Sequence, residues 1–207
     1  MTQQKTALFD HRSPSPSRRS LLRGVGVAGA AAVTGAAAPA LLAPSASAAP
    51  IEGFNEEISR EEVIERAMYW VDDPRAYSMS GFDIGPEEDQ DILWRTDCSG
   101  FVSMALAIRF DDNPTGLTTE TLHPDGGYGV SHAINKDELE PGDFILQRNA
   151  DSSSGVGHVV LFNGWVEGGY TVLEQSYGAG GTTSRTATYP YDGLPEYHPF
   201  RYDLIVD

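Results

Sequence analysis

Apolar positions in this chain follow two rhythms, a helical one between about residues 60 and 109 and a strand-like one after residue 140. Val63, Ala67, Trp70 and Val71 recur at helical steps, which gathers them on one face. Ser59, followed by Glu62, supplies a capping signal and Pro74 ends the pattern, so the spacing predicts a helix over residues 60–72. The stretch from Cys98 to Arg109 predicts a second, mostly buried helix. Short apolar runs then follow between turn residues: Phe144 to Leu146 after Pro141-Gly142-Asp143, Gly157 to Phe162, Tyr170 to Ser176, and Phe200 to Val206. Asn163-Gly164 and Gly168-Gly169 bracket a hairpin connection. Residues 74–96, 110–135 and 178–183 are rich in Gly, Pro, Thr or acids and read as loops, the last of them flexible. Helices first and consecutive strands later predict an α+β fold, N-terminal helices packed on a central antiparallel sheet, with no internal repeat and no second domain.

Composition changes this picture in two places. Apolar residues make up 40% of the chain and include 8 Phe, 9 Tyr and 3 Trp, enough for a packed core, which excludes wholesale disorder. The net charge of -16 hides a split. Residues 1–48 carry five bases (Lys5, Arg12, Arg18, Arg19, Arg23) and one acid (Asp10), whereas the remainder carries 9 bases and 29 acids, a net of -20. Phosphate backbones are held by clustered Lys and Arg, so nucleic acid is excluded as a partner.

The basic segment reads as an address. Ser17-Arg18-Arg19-Ser20-Leu21-Leu22 precedes an uncharged, Ala- and Gly-rich run from Gly24 to Leu42, and Ala46-Ser47-Ala48 forms a small-x-small cleavage pattern. The paired arginines resemble a twin-arginine export signal. The competing reading is a membrane anchor, which the Ala/Gly-rich composition and the cleavage pattern disfavour. The expected organisation is a removed signal over 1–48, an N-terminal tail over 49–58 and one catalytic domain over 59–207. The mature chain is expected to be secreted, monomeric and free of stable membrane association.

Cys98 is the only cysteine, so an intramolecular disulfide and a multi-cysteine zinc site are both excluded. An exported lone thiol is either a small buried apolar residue or a working group. Its place at the start of a predicted helix favours an anion, and the thiolate is the nucleophilic form. Of the histidines after residue 48, His123, His132 and His198 lie in loop-like segments, whereas His158 heads an apolar strand. On the next strand Glu174-Gln175 interrupts an apolar run, and one of the two must share a face with His158. A nucleophile, a base and a group orienting the base are thereby available, with the third place open between Glu174 and Gln175.

These pieces resemble one family. Asp97-Cys98-Ser99-Gly100-Phe101-Val102 is similar to the nucleophile motif of the NlpC-type cell-wall peptidases, papain-like secreted bacterial cysteine peptidases. Leu139-x-Pro141-Gly142-Asp143, Gly157-His158-Val159 and Leu173-Glu174-Gln175-Ser176 follow in that family's order, and Ala76-Tyr77-Ser78 resembles its upstream tyrosine segment. The likeness runs over about residues 60–205. The family's third member is usually His, Asn or Gln, and Glu174-Gln175-Ser176 instead resembles the Glu-containing segment of the CHAP amidases, which favours Glu174 over Gln175.

The resemblance implies a papain-like fold and a cysteine hydrolase that cleaves amide bonds in peptidoglycan stem peptides, needing no metal and no cofactor. Cys98 would be the nucleophile, His158 the base and Glu174 its orienting partner. The Cys98 N–H and the Tyr77 hydroxyl would form the oxyanion site, and Asp97, Ser99 and Tyr77 would hold a substrate amine. The plainer role of Asp97 is a helix N-cap. Two other readings stand beside this one. The same scaffold could perform another acyl transfer, transglutaminase-like or on a non-wall amide, or the chain could be a binding module with an inert thiol.

Overall fold

The computed structural model describes residues 48–207; the basic segment with Arg18-Arg19 and the Ala-x-Ala pattern, apart from Ala48, lies outside the described residues. The elements in chain order are β1 (Ile58–Ser59), α1 (Arg60–Asp72), β2 (Phe82–Ile84), β3 (Leu93–Arg95), α2 (Cys98–Ala105), α3 (Thr119–Leu122), β4 (Ser131–Ala133), β5 (Phe144–Gln147), β6 (His158–Val166), β7 (Gly169–Ser176), β8 (Gly181–Ala187), β9 (His198–Tyr202) and β10 (Ile205–Val206). Six strands form one sheet in the order β4-β9-β5-β6-β7-β8, with every neighbouring pair antiparallel. This is the expected α+β arrangement, helices first and an antiparallel sheet behind them.

Helix α1 has the predicted bounds. Ser59 accepts the Glu62 N–H at 3.1 Å, and Val63, Ala67 and Trp70 are its buried stripe. Helix α2 is shorter than the pattern predicts because the chain turns after Ala105 and Ala107 takes a positive φ of 52°. All eight residues of α2 are buried, and it packs across β6 and β7.

Apolar groups cover the sheet on both faces. Phe144, Leu146, Val159, Leu161 and Leu173 join α1 and α2 in one core, while Ile145, Val160, Phe162, Tyr170 and Val172 form a second core on the opposite side. Strands buried on both faces read as continuous apolar runs, which is why their periodicity is weak in the sequence.

Several loops expected from the sequence are ordered structure. Residues 74–96 contain the β2–β3 hairpin, and 110–135 contain α3 and β4. The segment expected to be a flexible loop over 178–183 instead enters β8, an edge strand paired along its length with β7. Its polar alternation suits a strand exposed on one side, and its glycines mask that pattern. Asn163-Gly164 is a bulge rather than a hairpin end, because β6 shifts register between Phe162 and Trp165 and continues to Val166. The closing strand is two strands, β9 and β10, and β10 pairs in parallel with β1. The segment before α1 is tied down as well: Asn55 N–H donates to Ala107 O at 3.0 Å and Asp111 N–H to Ala49 O at 3.1 Å.

Candidate active site

Helix α2 begins at Cys98, with Asp97 as its N-cap. The Asp97 Oδ1 accepts the Gly100 N–H at 2.7 Å, satisfying one of the unpaired donors of the first turn. Gly100 is required by close approach: a Cβ there would stand 2.1 Å from the Arg95 carbonyl oxygen. The tight entry aims the first turn of α2 at the end of the sheet where β6 starts.

His158 is the first residue of β6, and its imidazole lies close enough to Cys98 for that side chain to raise its pKa. The imidazole Nε2 donates to Glu174 Oε2 at 2.9 Å, which leaves Nδ1 for another partner. Register decides which β7 side chain does this. Leu161 lies opposite Leu173 and Phe162 opposite Val172, so residues of even number on β6 and β7 share a face. His158 and Glu174 therefore meet diagonally beside Val160 and Val172. Gln175 points to the helix side, where its Nε2 donates to the carbonyls of Arg75 (3.1 Å), Ala76 (3.3 Å) and Thr96 (3.1 Å). It braces the segments that carry Tyr77 and Cys98 and makes no bond to His158.

Glu174 is fully buried at 0% exposure and holds three donors. Besides His158, the Tyr191 hydroxyl donates to Oε2 at 2.7 Å and Arg185 Nε to Oε1 at 2.6 Å. Burial pushes its pKa up, but the bonds from His158, Tyr191 and Arg185 outweigh that and hold it below the usual carboxylate range. Arg185 is itself clamped to Asp192 by two bonds, at 3.0 and 2.9 Å. Arg185 and Tyr191 were not legible as site residues. Strand alternation on β8 marks Arg185 only once the register with β7 is known.

Burial lowers the His158 pKa, but the neighbouring Cys98 and the Glu174 carboxylate raise it to about 9. A raised imidazole pKa stabilises the fold fully below its ordinary value of 6.5, and that contribution is lost as pH rises through about 9. Thermal stability should accordingly fall across that window, and the fall should be smaller in His158→Ala; equal slopes in thermal melts of the two proteins would exclude the imidazolium.

Tyr77 lies beside the pair. Burial, then the charges of Cys98 and Asp97, push its hydroxyl up to about 12, so it remains a neutral donor. Asp97 and Ser99 are already engaged. Arg95 Nε donates to Asp97 Oδ2 at 2.9 Å and Arg95 Nη2 to Ser99 Oγ at 3.1 Å, while Ser99 Oγ donates to Asp97 Oδ1 at 3.1 Å. The carboxylate expected to meet a substrate amine thus has a guanidinium on one oxygen and the helix cap on the other. His123, His132 and His198 belong to other surroundings; His132, for example, pairs with Asp203 at 2.6 Å.

Two cavities flank the pair. One, of about 130 Å³, is lined by Cys98 with Met79, Thr118, Thr119 and Asn149. The other, of about 290 Å³, is lined by His158 with Tyr177, Ser176, Tyr191 and Tyr197. Tyr77, Val156 and Gly157 border both. A thiol and an imidazole at adjoining cavities, with a buried carboxylate behind the imidazole, is an arrangement suited to acyl transfer.

No family model matches the chain, and no curated protein matches it. Solved structures of similar fold include NlpC1 from Trichomonas vaginalis, at 18% identity and a TM-score of 0.44, covering 69% of this chain and 43% of that one. The P60 domain of an antigen from M. avium subspecies paratuberculosis is similar at 23% identity and a TM-score of 0.42, covering 72% of this chain and 96% of that one. An NlpC/P60 family protein from Bacillus cereus is similar at 18% identity and a TM-score of 0.43, covering 72% of this chain and 41% of that one. The chain thus spans less than half the length of the first and third and nearly all of the second. All three are NlpC/P60 proteins, the group that the Cys98 motif resembles, and none bears on the CHAP-like character of the Glu174 segment.

Proposed function

We propose that this chain is an exported cysteine hydrolase that cleaves amide bonds in peptidoglycan stem peptides. The observation that carries the reading is the hydrogen bond from His158 to the buried Glu174, with His158 and Cys98 lining two cavities that share Tyr77, Val156 and Gly157. The order and spacing of the Cys98, Pro141-Gly142-Asp143, His158 and Glu174 segments support the wall substrate, and residues 1–48 would be the export signal.

Cys98 attacks the amide carbonyl as a thiolate, with His158 charged beside it. His158 then protonates the leaving amine nitrogen and afterwards takes a proton from the water that attacks the thioester, returning Cys98. Glu174 keeps the imidazole oriented, with Nε2 bonded and Nδ1 facing the thiol, and balances its charge. The Cys98 N–H at the start of α2 and the Tyr77 hydroxyl stabilise the oxyanion, each such donor being worth about 3 kcal/mol. Asp97 caps α2 and holds Arg95.

Purified protein incubated with peptidoglycan and with soluble stem peptides, beside a Cys98→Ala control, should yield a Cys98-dependent fragment by mass spectrometry. The fragment identifies the bond. No fragment from either material, with Cys98 still alkylating rapidly, overturns the wall substrate.

A further inference from the structure

Glu174 is not the end of the polar line that starts at His158. Arg185, on β8, donates from Nε to Glu174 Oε1 at 2.6 Å and from Nη1 and Nη2 to the two Asp192 carboxylate oxygens at 3.0 and 2.9 Å. Register puts it there: Val172 pairs with Arg185 and Glu174 with Thr183, so Arg185 stands diagonal to Glu174 on the same face of the sheet. Asp192 lies in the segment between β8 and β9 and meets the guanidinium from a left-handed backbone, at φ 49°. The same segment supplies Tyr191. Its hydroxyl donates to Glu174 Oε2 at 2.7 Å, and its ring centre lies 5.2 Å from that of His158 and 5.2 Å from the Arg185 guanidinium carbon.

Charge alternates along this line: carboxylate, guanidinium, carboxylate, imidazolium. A guanidinium on Glu174 has two opposed effects. It keeps a fully buried carboxylate ionised and fixes one of its oxygens. It also puts a second positive charge behind the imidazole, which disfavours the imidazolium. Asp192 removes the second effect, because its two bonds to Arg185 return the cluster of Glu174, Arg185 and Asp192 to one net negative charge. We propose that Arg185 and Asp192 are positioning residues for the reaction: Arg185 holds Glu174 ionised and in place, and Asp192 cancels the guanidinium charge so that Glu174 still favours a proton on His158. The inference rests on the hydrolase reading and deepens it. The other groups that face the imidazole are Cys98 from α2 and the hydroxyls of Tyr191 and Tyr197, with Tyr77 and Tyr177 in the same cavity; Gln147, opposite on β5, is uncharged. Burial, then neighbouring negative charge, pushes Tyr77 and Tyr197 up to about 12, and burial with the bond to Glu174 pushes Tyr191 up as well. These three hydroxyls stay neutral while His158 titrates.

Titration of the His158 imidazole by NMR tests this. A Cys98→Ala background keeps a thiol from titrating beside it, and His158→Ala identifies the signal. Asp192→Asn keeps the side-chain shape but leaves the guanidinium charge uncancelled. The midpoint should then fall by about half a pH unit at low ionic strength, the order expected of one charge a few bonds away behind partial solvent screening. The Arg185 and Asp192 side chains are 34% and 50% exposed, so added salt should shrink the shift. Combining Asp192→Asn with Arg185→Gln removes both charges and should bring the midpoint back toward the parent value, which a purely mechanical clamp would not do. With Cys98 intact, the alkaline limb of the kcat/KM profile on the cleaved stem peptide should move with the midpoint. A midpoint unmoved by Asp192→Asn, or moved as far in the double variant, overturns the assignment alone. Stem-peptide cleavage by the wild type no greater than by Cys98→Ala overturns the hydrolase reading, and the catalytic role assigned here with it.

Discussion

Glu174→Gln is expected to lower kcat/KM by at least about 10²-fold, the order seen when a base loses the carboxylate that orients it. The reason lies in donor counting. The carboxylate accepts from His158, Tyr191 and Arg185, two bonds on Oε2 and one on Oε1. An amide replaces one acceptor oxygen with an NH₂ group, which must then face either Arg185 or the His158–Tyr191 pair, donor against donor. It also removes the charge that balances the imidazolium. The lost pairing should cost about 1–3 kcal/mol of stability, or more because the partners are charged. Gln175→Ala provides the contrast. It removes a donor to three backbone carbonyls and should cost a similar amount of stability while sparing most of the activity, since Gln175 does not touch His158. Thermal melts and kcat/KM on the cleaved stem peptide check both. A larger catalytic loss in Gln175→Ala would transfer the orienting role to that residue.

His158→Ala should remove about 10²- to 10⁴-fold of the rate, the usual contribution of a positioned general base and acid. It should also slow iodoacetamide modification of Cys98 in mildly acidic buffer, because the imidazolium that favours the thiolate is gone. The helix N-terminus remains, so modification continues at a reduced rate. Retention of more than a tenth of the wild-type kcat/KM would eliminate His158 as the base. Unchanged modification with lost turnover would restrict His158 to protonating the leaving amine.

Local chemistry made much of this site readable in advance. Cys98 stands alone in composition, and the Asp97 cap with its helical stretch announces an element that starts at Cys98. His158 and Glu174 are conspicuous as polar residues in apolar strands. The spacing of Val63, Ala67 and Trp70 marked α1 to its ends, because an amphipathic helix with a capping serine and a following proline is specified by neighbours in sequence. The polar edge strand β8 was missed because glycine punctuation resembled a loop and its partner lies in β7.

The choice of Glu174 at His158 was different. Alternation assigns adjacent residues to opposite faces but does not say which face holds the partner; only the β6–β7 register places Glu174 diagonal to His158 and sends Gln175 toward Thr96. Arg185 and Tyr191, 11 and 17 residues from Glu174, reach it through strand pairing and a returning loop. Arg95 likewise turned Asp97 and Ser99 into a neutralised wall of the cleft. What the sequence alone determined was the helix α1, the capped start of α2 at Cys98 and the polar residues His158 and Glu174 set in apolar strands, since those follow from residue type and local spacing. The tertiary structure decided which side chains meet and which charges are already paired, because register and side-chain packing are long-range properties that no local pattern encodes.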